Sequence, residues 1–411
     1  MYKEINKCRI SGSPNLTPVL HLGEQYLTGV FPKSKEEQIT KGPLDLVWCP
    51  ESKLLQLKQS YPLDEMYGSN YGYRSGLNKS MVKHLSLKIE YLQRFLPLSS
   101  GDLVLDIGSN DATTLKSYHN TDITRIGIDP TAEKFKEYYT NDIVLIPEFF
   151  PSPTYCTTFK NKKAKIITSI AMFYDLENPR DFIAEIVKTL DKNGIWHFEQ
   201  SYMPSMLRTN AYDTICHEHL EYYALEPIKK LLEEFDLKVL DVQINDINGG
   251  SFAVTAGHKS SNSFIENKAV IEWLLLQEER MGLNTPRPYR EFEERVFKHK
   301  TDLLQLIKAL KDDGKKVFGY GASTKGNVLL QFCGFTENEI PYIAEVNKEK
   351  FGSYTPGTNI PIISEEKARE MNPDYFLVLP WHFKNSILAK EQSFINNGGK
   401  FIFPLPYIEV V

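Results

Sequence analysis

The side chains best suited to acid–base chemistry lie between residues 212 and 223, where the sequence reads YDTICHEHLEYY. Two histidines, His217 and His219, flank Glu218. An imidazole titrates near neutral pH, and an adjacent carboxylate can orient it or tune its pKa. The two histidines are not spaced as in the H-E-x-x-H motif of zinc proteases. The segment therefore predicts a base for proton abstraction, or a polar cluster whose members satisfy one another's hydrogen bonds at a domain interface.

A second polar group follows an apolar, strand-like run at 103–108. Its members are an acid, a glycine and short polar residues: Asp106, Gly108, Ser109, Asn110 and Asp111. Glycine lets the backbone approach a ligand closely, and a helix N-terminus offers donors. Asp129 closes the next strand, where a carboxylate can accept hydrogen bonds from ribose hydroxyls. The third glycine of a dinucleotide fingerprint is missing. The loop resembles the first motif of class I methyltransferases, although both acids could also simply end strands.

A tyrosine-rich segment precedes the first long helical pattern. Tyr67, Tyr71 and Tyr73 alternate with glycines there. Tyrosine rings offer stacking surface and a hydroxyl group, which suit a sugar or a nucleotide. The same composition also fits a plain aromatic turn.

A glycine-rich segment, GYGASTKGN at 319–327, joins a strand-like run to a helical pattern. Its backbone N–H groups, hydroxyls and one ammonium could cradle a diphosphate, although the Walker A spacing is absent. The residues expected to contact a substrate are Gly321, Ser323, Lys325 and Asn327.

Alternating strand and helix patterns must position these residues. Apolar side chains at intervals of three to four residues predict a helix over 77–96. Apolar runs that alternate with helical patterns imply parallel βαβ units and a doubly wound sheet. Such runs occupy 103–108, 124–129, 143–147, 164–171 and 194–201, and a second series occupies 316–321, 340–346, 375–380 and 400–406.

The chain is predicted to be an α/β protein of several parts, because 411 residues exceed the size of a single core. We expect a small β-rich module with the tyrosine-rich segment, a Rossmann-like doubly wound domain, a helical connector and a C-terminal Rossmann-like α/β domain. Their expected bounds are 1–76, 77–260, 261–312 and 313–411.

The overall composition narrows the function further. A net charge of −5 offers no general attraction to nucleic acid, and the apolar runs are too short to span a membrane. Five scattered cysteines and an N-terminus without an apolar targeting region predict a cytoplasmic protein with reduced thiols. We expect a monomer or a small homo-oligomer.

Six motifs in order along nearly the whole chain resemble the nucleotide-sugar C-methyltransferases that act on 4-keto-deoxyhexoses. The motifs are GYRSG (72–76), DIGSND (106–111), CHEHLEYY (216–223), NGGSF (248–252), GYGASTKGN (319–327) and PGTNIPI (356–362). The resemblance implies an N-terminal zinc-binding module, a central domain for S-adenosyl-L-methionine and a C-terminal domain for the nucleotide sugar.

The same resemblance implies roles for individual residues. His219 would be the general base with Glu218 as its partner, and Tyr71 or Tyr73 would contact the sugar, as would Tyr222. A tyrosine of the family is replaced here by Cys216. Met172 and Phe173 stand where the family has an Ala-His pair near the adenine, and they could pack against a purine.

The implied reaction explains why such residues are needed. A 4-ketone acidifies the neighbouring C–H, so a base can form an enolate whose carbon attacks the methyl group, with C-3 as the expected position. His217 or a tyrosine hydroxyl could stabilise the enolate oxygen. The alternatives are O- or N-methylation on the same scaffold and a non-catalytic nucleotide-sugar-binding protein.

The N-terminal module departs from the family pattern of two C-x-x-C knuckles. Only Cys8 and Cys49 remain, each followed three residues later by a serine. Serine hydroxyls are poor zinc ligands, so we expect that zinc has been lost. His21 or Glu51 could still complete a Cys₂HisGlu set.

Overall fold

A computed structural model describes residues 2–67, 73–119, 122–160 and 162–411, so the predicted sugar contact Tyr71 lies outside the described residues. In chain order the strands are β1 (Lys3–Glu4), β2 (Thr17–Tyr26), β3 (Lys41–Trp48), β4 (Leu55–Leu57), β5 (Gln59–Ser60), β6 (Leu103–Ile107), β7 (Thr124–Ile128), β8 (Ile143–Ile146), β9 (Ala164–Ile170), β10 (Leu190–Ser201), β11 (Glu221–Tyr222), β12 (Leu237–Asn245), β13 (Ser251–His258), β14 (Val317–Tyr320), β15 (Ile343–Glu345), β16 (Ile362–Ser364), β17 (Tyr375–Val378), β18 (Lys400–Phe403) and β19 (Glu409–Val410). The α-helices are α1 (Leu63–Met66), α2 (Lys79–Phe95), α3 (Thr113–Lys116), α4 (Pro153–Phe159), α5 (Pro179–Thr189), α6 (Met203–Thr209), α7 (Leu225–Glu234), α8 (Lys268–Arg280), α9 (Arg287–Asp312), α10 (Thr324–Cys333), α11 (Glu365–Glu370), α12 (Lys384–Lys390) and α13 (Gln392–Asn396).

The central sheet has the strand order β12-β13-β10-β9-β6-β7-β8. Its pairs are parallel from β10 to β8, and β13 runs antiparallel to both of its neighbours. Every residue of β6 is buried, as expected for a strand covered on both faces. The chain reverses its direction of winding at β6, which is where a doubly wound sheet opens a crevice for ligands. The predicted α/β fold class is confirmed.

The helix predicted over 77–96 is α2, which covers one face of this sheet. Asn78 caps its N-terminus by accepting hydrogen bonds from the Ser80 and Met81 amides. Its apolar stripe, which includes Leu85, Ile89 and Leu92, is buried as the periodicity required.

The C-terminal sheet has the order β16-β15-β14-β17-β18-β19 and is parallel apart from β19. The predicted polar connector consists of two helices, α8 and α9. Helix α9 is amphipathic. It buries Phe292 and Val296 in an apolar core shared with Leu46 and Phe376. That core joins the N-terminal module to the C-terminal sheet. No described helix is both long and apolar enough to cross a membrane.

The N-terminal sheet contains one strand that does not come from the N-terminus. Its order is β11-β4-β3-β2, and β11 comes from the middle of the chain, directly after the His-Glu-His triplet. The Leu57 amide donates to the Leu220 carbonyl at 2.8 Å, and the Leu220 amide donates to the Tyr174 carbonyl at 2.9 Å. The triplet is thus held between two parts of the molecule.

A buried carboxylate on α8, remote in sequence, caps the N-terminus of helix α7. Glu278 accepts hydrogen bonds from the amides of Leu225 (2.6 Å) and Glu226 (2.9 Å) and from the Tyr202 hydroxyl (2.7 Å). Amides at a helix N-terminus have no partner within the helix, so a carboxylate there is strongly stabilising.

Glu278→Ala is expected to lower the free energy of unfolding by about 2–4 kcal/mol, because it leaves several buried donors unpaired. Urea denaturation followed by circular dichroism measures the change. Glu279→Ala, at the exposed neighbouring position, serves as the control. Equal stability of the two variants would contradict the capping role.

Candidate active site

A cavity of about 370 Å³ opens at the carboxyl edge of the central sheet. It is lined by residues from all parts of the molecule, including Tyr67 of the N-terminal part, Asp129 and His219 of the middle, and Lys325 of the C-terminal sheet domain. This is the edge at which ligands bind in doubly wound folds.

One end of the cavity is shaped by the loop after β6. Gly108 has a positive φ of 76° and its amide donates to the Ile128 carbonyl at 2.9 Å. A Cβ at this position would come within 3.2 Å of Met172, and both residues line the cavity. Only glycine combines this backbone conformation with such a close approach. The predicted loop and the residue predicted to lie near the adenine therefore share one surface.

The carboxylate of Asp129 lies at the end of β7 and lines the same cavity. It accepts from the Asn110 amide at 2.7 Å and from the amide and hydroxyl of Thr131, each at 2.7 Å. These donors fix both oxygens: Oδ1 accepts two hydrogen bonds, and Oδ2 accepts one and retains a lone pair for a further donor. A ribose hydroxyl is a donor that such a carboxylate suits.

Other residues of the predicted cofactor set support the loop without lining the cavity. The buried Asp106 bonds the Thr168 hydroxyl at 2.5 Å, and burial raises the pKa of Asp106 to about 7. Asp111 accepts from the Gly76 amide at 2.9 Å, which ties the tyrosine-rich segment to the loop. Phe173 is fully buried in the apolar core. Ser109 and Asn110, by contrast, do line the cavity.

The predicted base His219 lines the same cavity. Its Nδ1 is 2.8 Å from the Thr214 carbonyl, and its ring packs edge-on against Tyr174 with centroids 4.4 Å apart. A carbonyl only accepts, so Nδ1 carries the proton and Nε2 is left as the basic nitrogen. Burial and the nearby Lys325 ammonium lower the pKa of His219 to about 3. The imidazole is therefore neutral at physiological pH.

The orienting group of His219 is thus a backbone carbonyl, whereas the sequence had suggested Glu218. Glu218 lines the cavity with one oxygen packed against Gly29 of the N-terminal module, where any Cβ would clash. Within the described chain its other oxygen is buried without a hydrogen-bond partner. Burial raises the pKa of Glu218, and a thiol hydrogen bond from Cys216 acts in the opposite direction.

A second carboxyl group, Asp175, lies beside Glu218 in the lining. It accepts a hydrogen bond from the Tyr67 hydroxyl at 2.8 Å, and its other oxygen is buried and unpartnered within the described residues. Burial and the charge of Glu218 raise the pKa of Asp175 well above its usual range. A raised pKa favours the protonated form, in which a carboxyl group can donate a hydrogen bond to a polar ligand.

Two members of the His-Glu-His segment point away from the cavity. His217 is fully buried, with Nε2 3.2 Å from the Gln25 carbonyl and its ring against Tyr61. Tyr222 is buried in the shared core, and its hydroxyl is 3.5 Å from the Thr214 carbonyl. Neither reaches the cavity, so the structure does not place His217 where an enolate oxygen would form. Tyr73, in contrast, does line the cavity.

The glycine-rich loop of the C-terminal domain uses most of its polar groups internally. Gly321 abuts Pro380, Ser323 caps α10, and the Asn327 side chain donates to the Thr28 carbonyl at 2.7 Å. Lys325 differs from these residues because it lines the cavity, where its Nζ donates to the Asn248 carbonyl at 2.6 Å.

The sequence analysis did not predict one residue of the cavity, Gln200, although its position at the end of a strand was informative. Gln200 is 1% exposed, and neither atom of its side-chain amide has a hydrogen-bond partner within the described chain. Buried amides are normally paired, so this one suits a ligand. Gln200 and Glu199 follow an apolar run at the carboxyl end of a parallel strand, and polar residues at that position were the available signal.

The serines of the N-terminal module occupy the positions opposite the two cysteines. Cys8 Sγ is 3.2 Å from Ser52 Oγ, and Ser11 Oγ is 3.6 Å from Cys49 Sγ. His21 pairs with Asp45 instead. No group of three or more histidine, cysteine or acidic side chains within the described ranges could hold a metal ion. The residues present therefore do not fit a zinc site.

Comparisons with known families cover most of the chain in three segments. Residues 8–67 match a family whose description proposes a zinc binding domain, 81–242 match a methyltransferase domain, and 246–406 match a C-methyltransferase C-terminal domain. The curated C-methyltransferase NovU of Streptomyces niveus is 29% identical over 412 aligned positions, which include 100% of this chain and 97% of NovU.

The solved structures named below each cover less than half of this chain. The magnesium protoporphyrin IX methyltransferase of Synechocystis is 12% identical, with a TM-score of 0.34 over 44% of this chain and 87% of that one. An S-adenosylmethionine-dependent methyltransferase of Clostridium acetobutylicum is 11% identical, with a TM-score of 0.34 over 43% and 92%. Such distant similarity supports no further conclusion.

The fold, the cavity and the family matches together define an S-adenosylmethionine-dependent methyltransferase. Within that class the chain is a C-methyltransferase. The family that its C-terminal segment matches and the relative aligned along its full length are both described as C-methyltransferases.

Asp129→Ala is expected to weaken binding of S-adenosylmethionine by about 10- to 100-fold, because hydrogen bonds to a charged group are lost. Isothermal titration calorimetry measures the affinity. Glu133→Ala, which removes an exposed carboxylate from the same segment, should bind normally. Undiminished affinity of the Asp129 variant would argue against a ribose contact.

The purified protein is expected to contain substoichiometric zinc and to keep its thermal stability in a strong chelator. The Ser11→Cys/Ser52→Cys double variant should gain a tetrahedral thiolate site, because it restores four sulfur ligands at facing positions. Cobalt absorption spectra and metal analysis test both statements. Stoichiometric zinc in the unaltered protein would contradict them.

Proposed function

We propose that the protein methylates a carbon next to the ketone of an NDP-4-keto-deoxyhexose, with C-3 as the preferred position. The observation that carries this proposal is the neutral His219, which is oriented by the Thr214 carbonyl and lines the same cavity as Gly108 and Asp129. Methylation at carbon requires removal of a C–H proton, and such a base meets that need.

The acceptor chemistry explains the task of the base. The Nε2 atom of His219 takes the proton from the carbon next to the ketone, and the C–H electron pair moves into an enolate. Bound S-adenosylmethionine supplies the electrophilic methyl group, whose bond to sulfur breaks with the pair left on sulfur as the enolate carbon forms the new C–C bond. The lowered pKa of His219 keeps the imidazole unprotonated at neutral pH, and it also makes Nε2 a weaker base than a free imidazole.

The polar groups around His219 suit a sugar better than an apolar acceptor. Tyr67, Asp175 and Glu218 form a group of hydroxyl and carboxyl side chains beside the base, and Gln200 offers a free amide. Sugar hydroxyls both donate and accept, so they can pair with these groups. The ordered motifs that resemble nucleotide-sugar enzymes support the same acceptor class.

The location that we propose for this reaction is the cytoplasm, because a nucleotide-activated sugar substrate and reduced thiols both fit that compartment. All five cysteines are free.

Transfer to oxygen or nitrogen is disfavoured, because both comparisons that name an acceptor atom name carbon.

His219→Ala is expected to lower the rates of methyl transfer and of α-proton exchange by about 10²- to 10⁴-fold, the usual contribution of a general base. Deuterium uptake by dTDP- and UDP-4-keto-6-deoxyglucose in heavy water is followed by mass spectrometry and NMR. The labelled carbon also distinguishes C-3 from C-5, the other carbon beside the ketone.

His217→Ala is the matched control, because that imidazole lies outside the cavity and should leave exchange largely intact in any folded variant. For the unaltered enzyme, the pKa of about 3 predicts that kcat/KM shows no loss of the base near pH 6.5, where a free histidine would protonate. Exchange at the normal rate without His219 would show that another group removes the proton.

A further inference from the structure

Lys325 is a partly buried cation in the cavity, and the described residues provide no ion pair for it. Its Nζ has one hydrogen-bond acceptor, the Asn248 carbonyl at 2.6 Å, so other N–H groups remain for a ligand. Lys88, which is buried, pairs instead with Glu199 at 2.7 Å. Burial lowers the pKa of Lys325 and the charge of Asp213 raises it, but no carboxylate of the described residues is in ion-pair contact with Nζ. A partly buried charge without a contacting counter-ion is costly, so an acceptor on the substrate would stabilise it.

Lys325 and the predicted base line the same cavity. The charge of Lys325 contributes to the lowered pKa of both His219 and His382. Burial raises the pKa of the Asp213 carboxyl, Lys325 lowers it, and the Trp381 indole donates to it at 2.8 Å. Lys325 therefore acts on the imidazole as a positive charge from within the same cavity.

A cation beside a general base opposes proton uptake by that base unless an anion forms between them. Abstraction of the acceptor proton creates a positive imidazolium at His219 and a negative enolate oxygen. The enolate charge would then attract both Lys325 and the imidazolium, which removes the penalty at the moment of reaction. This arrangement stabilises the transition state more than the ground state.

We propose that Lys325 is a catalytic residue whose ammonium donates a hydrogen bond to the acceptor carbonyl oxygen and stabilises it as the enolate oxygen. The proposal rests on the proposed keto-sugar substrate and assigns the role that His217 cannot fill. No proton leaves Lys325: the substrate proton goes to His219, and the ammonium only balances the oxygen charge.

A diphosphate cradle is the competing role for this lysine, and the loop geometry favours it less. The Ala322 amide is bonded to Glu345 at 2.8 Å, and the Gly326 amide is bonded to Ser323 at 3.0 Å. Two donors that would line a phosphate nest are thus already used. Lys325 leaves this loop and reaches Asn248, in the cavity that His219 also lines.

The test compares Lys325→Met and Lys325→Gln with the unaltered enzyme on dTDP- and UDP-4-keto-6-deoxyglucose. Both variants are expected to lose about 100-fold or more in α-proton exchange and in kcat, the usual effect of removing an oxyanion donor. Affinities for S-adenosylmethionine and for free dTDP and UDP should stay unchanged, and thermal unfolding identifies correctly folded variants. Lys384→Met is the matched control, because that lysine belongs to the same domain and pairs with Glu409.

Exchange at the normal rate in a folded Lys325 variant would overturn the inference. Weaker binding of dTDP or UDP with normal exchange would assign the lysine to the diphosphate instead. If the unaltered enzyme catalyses no exchange on either keto sugar while it methylates another acceptor, the proposed function itself fails.

Discussion

The position of the base depends on the backbone of a single residue, Leu220. Its carbonyl accepts from Leu57 of the N-terminal sheet, and its amide donates to Tyr174, whose ring packs on His219. Strand β11 follows at once and completes the N-terminal sheet beside β4. A loop that carried His219 without these contacts would have to lose its conformational freedom when substrate binds, and that entropy cost would oppose binding. Here the loop becomes ordered when the protein folds, so the imidazole is already oriented before substrate binds.

The same arrangement explains why the cavity is electrostatically unusual. It combines a neutral imidazole, two carboxyl groups with raised pKa values and one ammonium. Each of these groups departs from its solution behaviour because burial penalises the charged form. The raised pKa values reduce the negative charge that the two carboxyl groups carry, and Lys325 contributes a positive charge to the same cavity. Such a site favours a ligand that becomes negative during the reaction.

The strands and the main loops were predictable because they depend on local patterns. Apolar runs with β-branched residues predict β6, β7 and β9, and the acid–glycine loop after β6 lies where a doubly wound sheet binds ligands. The two-residue strand β11 was not predictable, because β4, the strand with which it pairs, is separated from it by more than a hundred residues. The sequence also did not predict that Lys325 of the C-terminal domain lines the cavity at the central sheet, because that contact too joins residues far apart in the chain. Gln200 and Asp175 were accessible in principle, since polar residues end the parallel strands there.

The N-terminal module shows what can replace a metal in a small unit. Modules of this size usually need a metal or disulfides, because their own cores are too small. This one shares its core instead: Leu46 and Trp48 pack in the same cluster as Tyr222 and Phe376. Arg9, in the segment that would carry a knuckle, donates to the Leu57 carbonyl at 2.6 Å and lies 3.6 Å from Glu221 of β11. The contacts that hold the module thus also hold the strand next to the base, so selection for the active-site geometry can preserve the module without a complete set of zinc ligands.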